Sequence, residues 1–152
     1  MQATRQADYA VHAILYLAQL EPGTRASTAL IAHEQHIPPT FLAKIISQLS
    51  TAGIVQATRG AHGGVTLGRP ADAISLLEIV EAIDGPIMLN ECTLNPGVCG
   101  FSDSCAIREV WVETRAKLVQ RLAGVNFGQL ARSSQTIQVS MAVADAIELD
   151  IY

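Results

Sequence analysis

Cys92, Cys99 and Cys105 are the three cysteines of this chain, and they stand together in ECTLNPGVCGFSDSC with the spacing C-x6-C-x5-C. Thiolates are ligands for soft metals and for iron-sulfur clusters, and a short loop broken by Pro96, Gly97 and Gly100 can turn several sulfurs toward one point. Three such ligands leave a fourth coordination position for another donor. Disulfides are a poor explanation. An odd number of thiols in a chain of 152 residues, long enough to bury its own core, does not make a secreted disulfide framework. With no apolar signal segment behind a basic N-terminus, the expected setting is a reducing cytoplasm, and no apolar run approaches membrane-spanning length.

A second chemistry is written in the distribution of charge. The formal net charge is -4, yet from His36 to Pro70 the chain carries no acid while Lys44, Arg59 and Arg69 are present. From Asp72 to Glu113 the balance reverses, with Arg108 as the lone cation. One section can face phosphate and the next would avoid it. Hydrophobic residues make up 49% of the chain and charged residues 16%, a lean surface that suggests a subunit interface.

The elements that would position these groups follow from periodicity and punctuation. A helix is predicted over Tyr9–Leu20, ended by Glu21-Pro22-Gly23, and a shorter one over Thr28–Gln35. Pro38-Pro39 restarts the chain into a third helix over Thr40–Thr51, because proline is tolerated in a first turn. The second and third form a helix-turn-helix candidate. In the third, Phe41, Leu42, Ile45, Ile46 and Leu49 form the expected apolar stripe, leaving Thr40, Ala43, Lys44, Ser47 and Gln48 opposite. Small residues allow close approach to DNA, Gln can hydrogen-bond a base edge, and Lys reaches guanine or phosphate. An ordinary solvated helix face is the alternative.

After Gly53, strands are predicted over Ile54–Thr58 and Val65–Leu67, with Arg59-Gly60-Ala61-His62-Gly63-Gly64 as the turn. A hairpin directly after a helix-turn-helix is a wing, whose thin tip can carry Arg59 into a minor groove and His62 to phosphate. A fourth helix is predicted over Ser75–Asp84 and a long one over Cys105–Ala123, with Cys105 in its first turn. Its stripe of Ile107, Trp111, Thr114, Leu118 and Leu122 reads as a dimer seam, and Glu113 and Lys117 as a supporting pair. From Ser133 onward, Ile137, Val139, Met141 and Val143 alternate like a strand, and an alanine-rich helix fits equally well. The expected fold is mainly α: a winged helix-turn-helix with a two-stranded β wing over residues 1–70, a linker helix, cysteine loop and dimerisation helix over 71–132, and a tail over 133–152.

In order along residues 1–132, the segments ADYAVHAILYLA, FLAKIISQLSTAGIV, TRGAHGGVTLGRP, ISLLEIVEAIDG and CGFSDSCAIREVW, with the three cysteines, resemble the winged-helix iron-sulfur regulators that include IscR, NsrR and RirA. The resemblance implies a homodimer on a near-palindromic DNA operator, with an iron-sulfur cluster controlling affinity. It assigns the cluster to Cys92, Cys99 and Cys105. IscR-like proteins have a shorter first cysteine interval and a histidine where this chain has Arg108, so a 2Fe-2S site completed by imidazole is disfavoured. NsrR-like proteins use an N-terminal aspartate from the other subunit as an oxygen ligand to a 4Fe-4S cluster, and Asp8 stands at the matching place. RirA-like proteins have a longer first interval.

The expectation is therefore 4Fe-4S over 2Fe-2S, with Asp8 as fourth ligand, or alternatively a mere partner of its helix dipole. His12, one turn on, is the second choice; His33 and His36 show no ligand spacing. IscR-like readers carry an acid where this chain has Ala43, which implies a different operator. The alternative class is a regulator without iron, working through zinc or disulfide formation. An enzyme or electron carrier is disfavoured, since there is no second cysteine set, no nucleotide-binding glycine motif and no Ser/His/Asp constellation. No membrane partner and no small-molecule substrate are expected.

Overall fold

In the computed structural model, which describes residues 3–149, six α-helices accompany one two-stranded sheet. Helix α1 (Arg5–Gln19) begins four residues before the expected Tyr9, because the Thr4 side chain caps it by accepting from the Ala7 N–H. Its buried stripe is Ala7, Ala10, Ala13, Ile14 and Leu17, at the helical spacing that faces one core. Ser27 caps α2 (Thr28–Glu34), and His36 makes the following turn with φ 52°, a left-handed conformation rarely taken by a side-chain-bearing residue. Pro39 opens α3 (Pro39–Thr51), and Gly53 at φ 70° ends it.

Leu42, Ile45, Ile46 and Leu49 of α3 are buried as expected, but Phe41 is not part of that stripe. It is 45% exposed and meets the Tyr9 ring edge-on at 6.0 Å. The reason is angular: with Leu42 centred on the core, a residue one position earlier lies about 100° around the helix.

The wing is β1 (Val55–Thr58) paired antiparallel with β2 (Gly64–Leu67), in a register that sets Val55 opposite Leu67 and Thr58 opposite Gly64. A 3-10 turn over Ala71–Ala73 leads to α4 (Leu76–Asp84), which carries a full capping box. Glu78 N–H donates to Ser75 Oγ, and the Glu78 carboxylate accepts from the Ser75 N–H. Three more 3-10 turns (Glu91–Thr93, Pro96–Val98, Ser102–Ser104) form the cysteine segment. Then come α5 (Ala106–Ala123) and α6 (Phe127–Leu149).

Helix α6 settles the tail in favour of helix through Leu149 and crosses the boundary drawn at 132/133; the last three residues of that tail, 150–152, lie outside the described residues. Its first residue, Phe127, is fully buried in the same core as Ile14, Ile31, Leu42, Ile45, Leu49, Ile54, Ile74 and Ile79. Two backbone bonds dock the α5–α6 junction on the start of α4, Leu76 N–H to Val125 C=O (2.8 Å) and Phe127 N–H to Ile74 C=O (3.0 Å), and together they make an antiparallel bridge between Ser75 and Asn126. α5 is different. It has no buried residue, and its exposed apolar groups include Ile107, Val110, Trp111 and Val112. Among the described residues, no helix is long and apolar enough to cross a membrane.

Candidate nucleic-acid interface and thiol loop

Helix α3 presents Thr40, Ala43, Lys44 and Ser47 to solvent, the face opposite its buried stripe. Gln48 is half-buried rather than fully presented, since its Oε1 accepts a hydrogen bond from the Gln6 amide of α1. At the wing, Arg59 and His62 are exposed on a tip whose shape depends on glycine. A Cβ on Gly63 would lie 2.2 Å from the Thr58 carbonyl oxygen, and Gly60 has φ 106°. The third cation of the acid-free section does not join them. Arg69 is held by Glu78 at 2.9 Å and by the Ala73 C=O at 3.1 Å, so it closes the fold behind the wing. Arg25, which no motif singles out, also reaches the wing tip, donating to the His62 C=O at 3.0 Å. Its only sequence signal is a cation just before the Ser27 cap.

Burial raises the Glu78 carboxyl, but acceptor bonds from the Ser75 N–H, the Arg69 guanidinium and the Ser75 hydroxyl outweigh it and hold the group below the ordinary carboxylate value.

Cys92, Cys99 and Cys105 are half-buried and not disulfide-bonded. Cys105 is the residue that precedes α5 at its N-cap, one position outside the expected first turn, because its φ and ψ are extended. One face of α5 grips the segment before and around Cys92 at successive turns. Arg115 Nε donates to the Ile87 C=O (2.6 Å), and Arg108 Nε to the Cys92 C=O (3.0 Å). Between them, Trp111 Nε1 donates to the Asn90 side-chain carbonyl (2.8 Å), with the amide oriented to satisfy both groups. Trp111, expected in the dimer seam, thus spends its N–H on its own loop. Arg108 joins the first cysteine to the helix that the third one immediately precedes.

Among the described residues of one chain, no group of three or more His, Cys, Asp or Glu is gathered closely enough to hold a metal ion. The donor types nonetheless suit a thiolate-bound centre: three unpaired sulfurs on one loop of 3-10 turns, with turns short enough to reorient. Asp8 lies elsewhere, on the exposed side of α1, with its carboxylate 3.7 Å from His12 Nε2. Its helix start is fixed from α4: Asp84 accepts from the Thr4 N–H (3.0 Å) and the Thr4 hydroxyl (2.6 Å). Exposed apolar side chains flank the thiols, with Phe101 at 76% and Val98 at 54%.

Residues 3–133 match the Rrf2 family, described as an iron-dependent transcriptional regulator. Among solved structures, CymR (YrzC), the global cysteine regulator of B. subtilis, is similar with 26% identity and a TM-score of 0.72, over 88% of this chain and 98% of that one. A putative transcriptional regulator from Listeria innocua shares 28% identity with a TM-score of 0.73, over 87% of each chain. T. potens IscR shares the fold at 22% identity and a TM-score of 0.73, over 91% of each chain.

Proposed function

Because the chain belongs to the Rrf2 family of transcriptional regulators, we propose that it works as a homodimer on duplex operator DNA, and that an iron-sulfur cluster held by Cys92, Cys99 and Cys105 controls its affinity. The observation that carries this reading is the set of three unpaired, half-buried thiols on one loop, the last of which stands at the N-cap position of α5. When bound, a cluster would supply a centre sensitive to redox state, nitric oxide or iron supply. The chain's own residues do the rest. Arg108 holds the Cys92 backbone against α5, so the two outer thiols share one scaffold. A guanidinium is not a metal donor, so Arg108 does not complete the site, and the resemblance to NsrR-like proteins favours 4Fe-4S with an oxygen ligand over 2Fe-2S.

Asp8 is the proposed oxygen donor, contributed from a second copy. The support is its exposure on α1, whose main packing partners are α3, α4, α6 and β2 and not the cysteine loop. Residues 1–70 serve as the reading unit and 71–132 as sensor and dimer unit. On DNA, Thr40, Lys44 and Gln48 read the major groove while Arg59 and His62 contact minor groove or phosphate. Helix α5, with no buried face of its own, supplies the subunit seam.

A second reading has its own support. One chain gathers no metal-holding group among the described residues, and CymR is by its printed name a cysteine regulator; a thiol-disulfide or zinc-dependent switch uses the same three sulfurs without iron. Anaerobic purification separates the two. The cluster reading expects brown protein with iron and sulfide in stoichiometric amounts, impaired by Ala at any of the three cysteines and more labile in Asp8→Ala. Colourless protein containing zinc, or carrying a reversible disulfide, would overturn it in favour of the second.

A further inference from the structure

We propose that Arg25, outside both the recognition helix and the hairpin, is a phosphate contact of the DNA interface and the residue that positions the wing tip. The inference rests on the reading that α3 and the wing face DNA. Residues 25 and 26 lie along the wing as a third edge: Ala26 N–H donates to the Val65 C=O at 3.1 Å, and Val65 N–H to the Ala26 C=O at 2.8 Å. From that edge the Arg25 side chain runs out to the tip, where Nη1 donates to the His62 C=O at 3.0 Å. Among the described residues this is the one side-chain hydrogen bond that reaches residues 59–63. Gly64 makes room for it. A Cβ there would come within 3.2 Å of Arg25 Cβ and 3.0 Å of the Ala26 carbonyl oxygen, and its φ of 146° suits glycine.

Arg25 therefore has two duties that one planar fork can serve together. A guanidinium carries five N–H donors, and the bond to His62 uses one. The group is exposed, without a carboxylate partner among the described residues, and reaches the His62 backbone at the tip of the acid-free wing. Two residues on, Ser27 caps α2, so Arg25 sits where the helix-turn-helix meets the wing. Phosphate laid across that junction meets a guanidinium already fixed by its own backbone contact. Holding the His62 carbonyl also fixes where Arg59, at the other side of the turn, enters the groove.

The test uses the full-length protein and two probes: a duplex selected by this protein from a random pool and an unrelated duplex of equal length. Wild-type and variant affinities are measured across a salt series. Arg25→Gln is expected to weaken both duplexes by about ten-fold and to lower the salt slope by about one, as for one lost phosphate contact. Arg25→Lys keeps the charge but not the fork, so it should restore the slope with only part of the affinity. Positioning predicts that the losses from Arg25→Gln and Arg59→Ala are less than additive in the double variant. Unchanged slope and affinity in Arg25→Gln, with Arg59→Ala weakened and wild type binding normally, would overturn this inference and leave the DNA-binding reading intact. Wild type with no salt-dependent binding would overturn both. If Arg25→Gln melts below wild type, Arg25→Lys carries the test, and its failure to restore the slope counts against a phosphate contact.

Discussion

Gln48 is braced by a side chain of another helix, which makes it unlike its neighbours on α3. Its amide oxygen accepts from Gln6, so its NH2 can be offered to a base edge already oriented, whereas Lys44 extends from an exposed position with no such brace. Gln48→Ala should therefore relax discrimination among operators by on the order of 1–3 kcal/mol, the range of a good base contact. Gln6→Ala should reproduce part of that loss without touching DNA. Lys44→Ala is expected to weaken selected and random duplexes more evenly if its ammonium rests on phosphate. Competition binding against single-base operator variants distinguishes these outcomes, and equal discrimination in Gln48→Ala and wild type would remove Gln48 from the reading face.

Among the elements, α4 and α5 show opposite routes to stability. α4 is held by its ends, with the Ser75–Glu78 capping box at one and Gly85 at φ 79° at the other. Ser75→Ala should cost about 1 kcal/mol in urea melts. Because the folded-state carboxyl of Glu78 lies below its ordinary value of 4.5, the stability it contributes is fully present above that pH and is lost as pH falls through the depressed value. Glu78→Gln should then narrow the gap between melts at neutral pH and melts below the ordinary carboxylate range. An unchanged gap would place the acid sensitivity elsewhere.

α5 has no such internal support: Ile107 is 67% exposed and Val110 61%, one turn apart on a helix with no buried residue. The Glu113–Lys117 pair at 2.6 Å is fully solvated and adds little. Ile107→Glu combined with Val110→Glu should give monomer by sedimentation while the far-UV spectrum keeps its helical form. A dimer that survives both changes would move the seam off this face.

For the whole molecule, the proposed control of DNA affinity by the cysteine loop has to run through the packing between them. Residues beyond 70 meet the first 70 through α4, which packs on α1 and α3, and through α6, which packs on α1 and sends Phe127 into the common core. Half-sites about one DNA turn apart penalise a shift of a few ångströms between two α3 helices. Loss of the proposed cluster should accordingly change affinity for a selected duplex far more than for a random one. Titrating holo and apo protein at one salt concentration, with the dimer mass checked in both states, is the measurement. Equal operator affinity in two dimeric forms would leave the cluster without this regulatory role.

Local signals in the chain were enough for the order of elements and for most of their limits. Prolines, glycines, caps and apolar spacing act over a few residues, and so α2, α3, the wing and α4 were readable within one or two positions. The family likeness was equally legible, because its motifs are contiguous words. What sequence left open depends on contacts between distant positions. Arg25 and His62 are 37 residues apart, Gln6 and Gln48 are 42, and Thr4 and Asp84 are 80. No periodicity links such pairs; the second and third meet because the core formed by Ile14, Leu49, Ile79 and Phe127 brings helices together, and the first because Ala26 pairs with Val65 along the wing. Tertiary packing likewise took Arg69 out of the cationic face, turned Phe41 outward and made helix of the tail that alternation had left undecided.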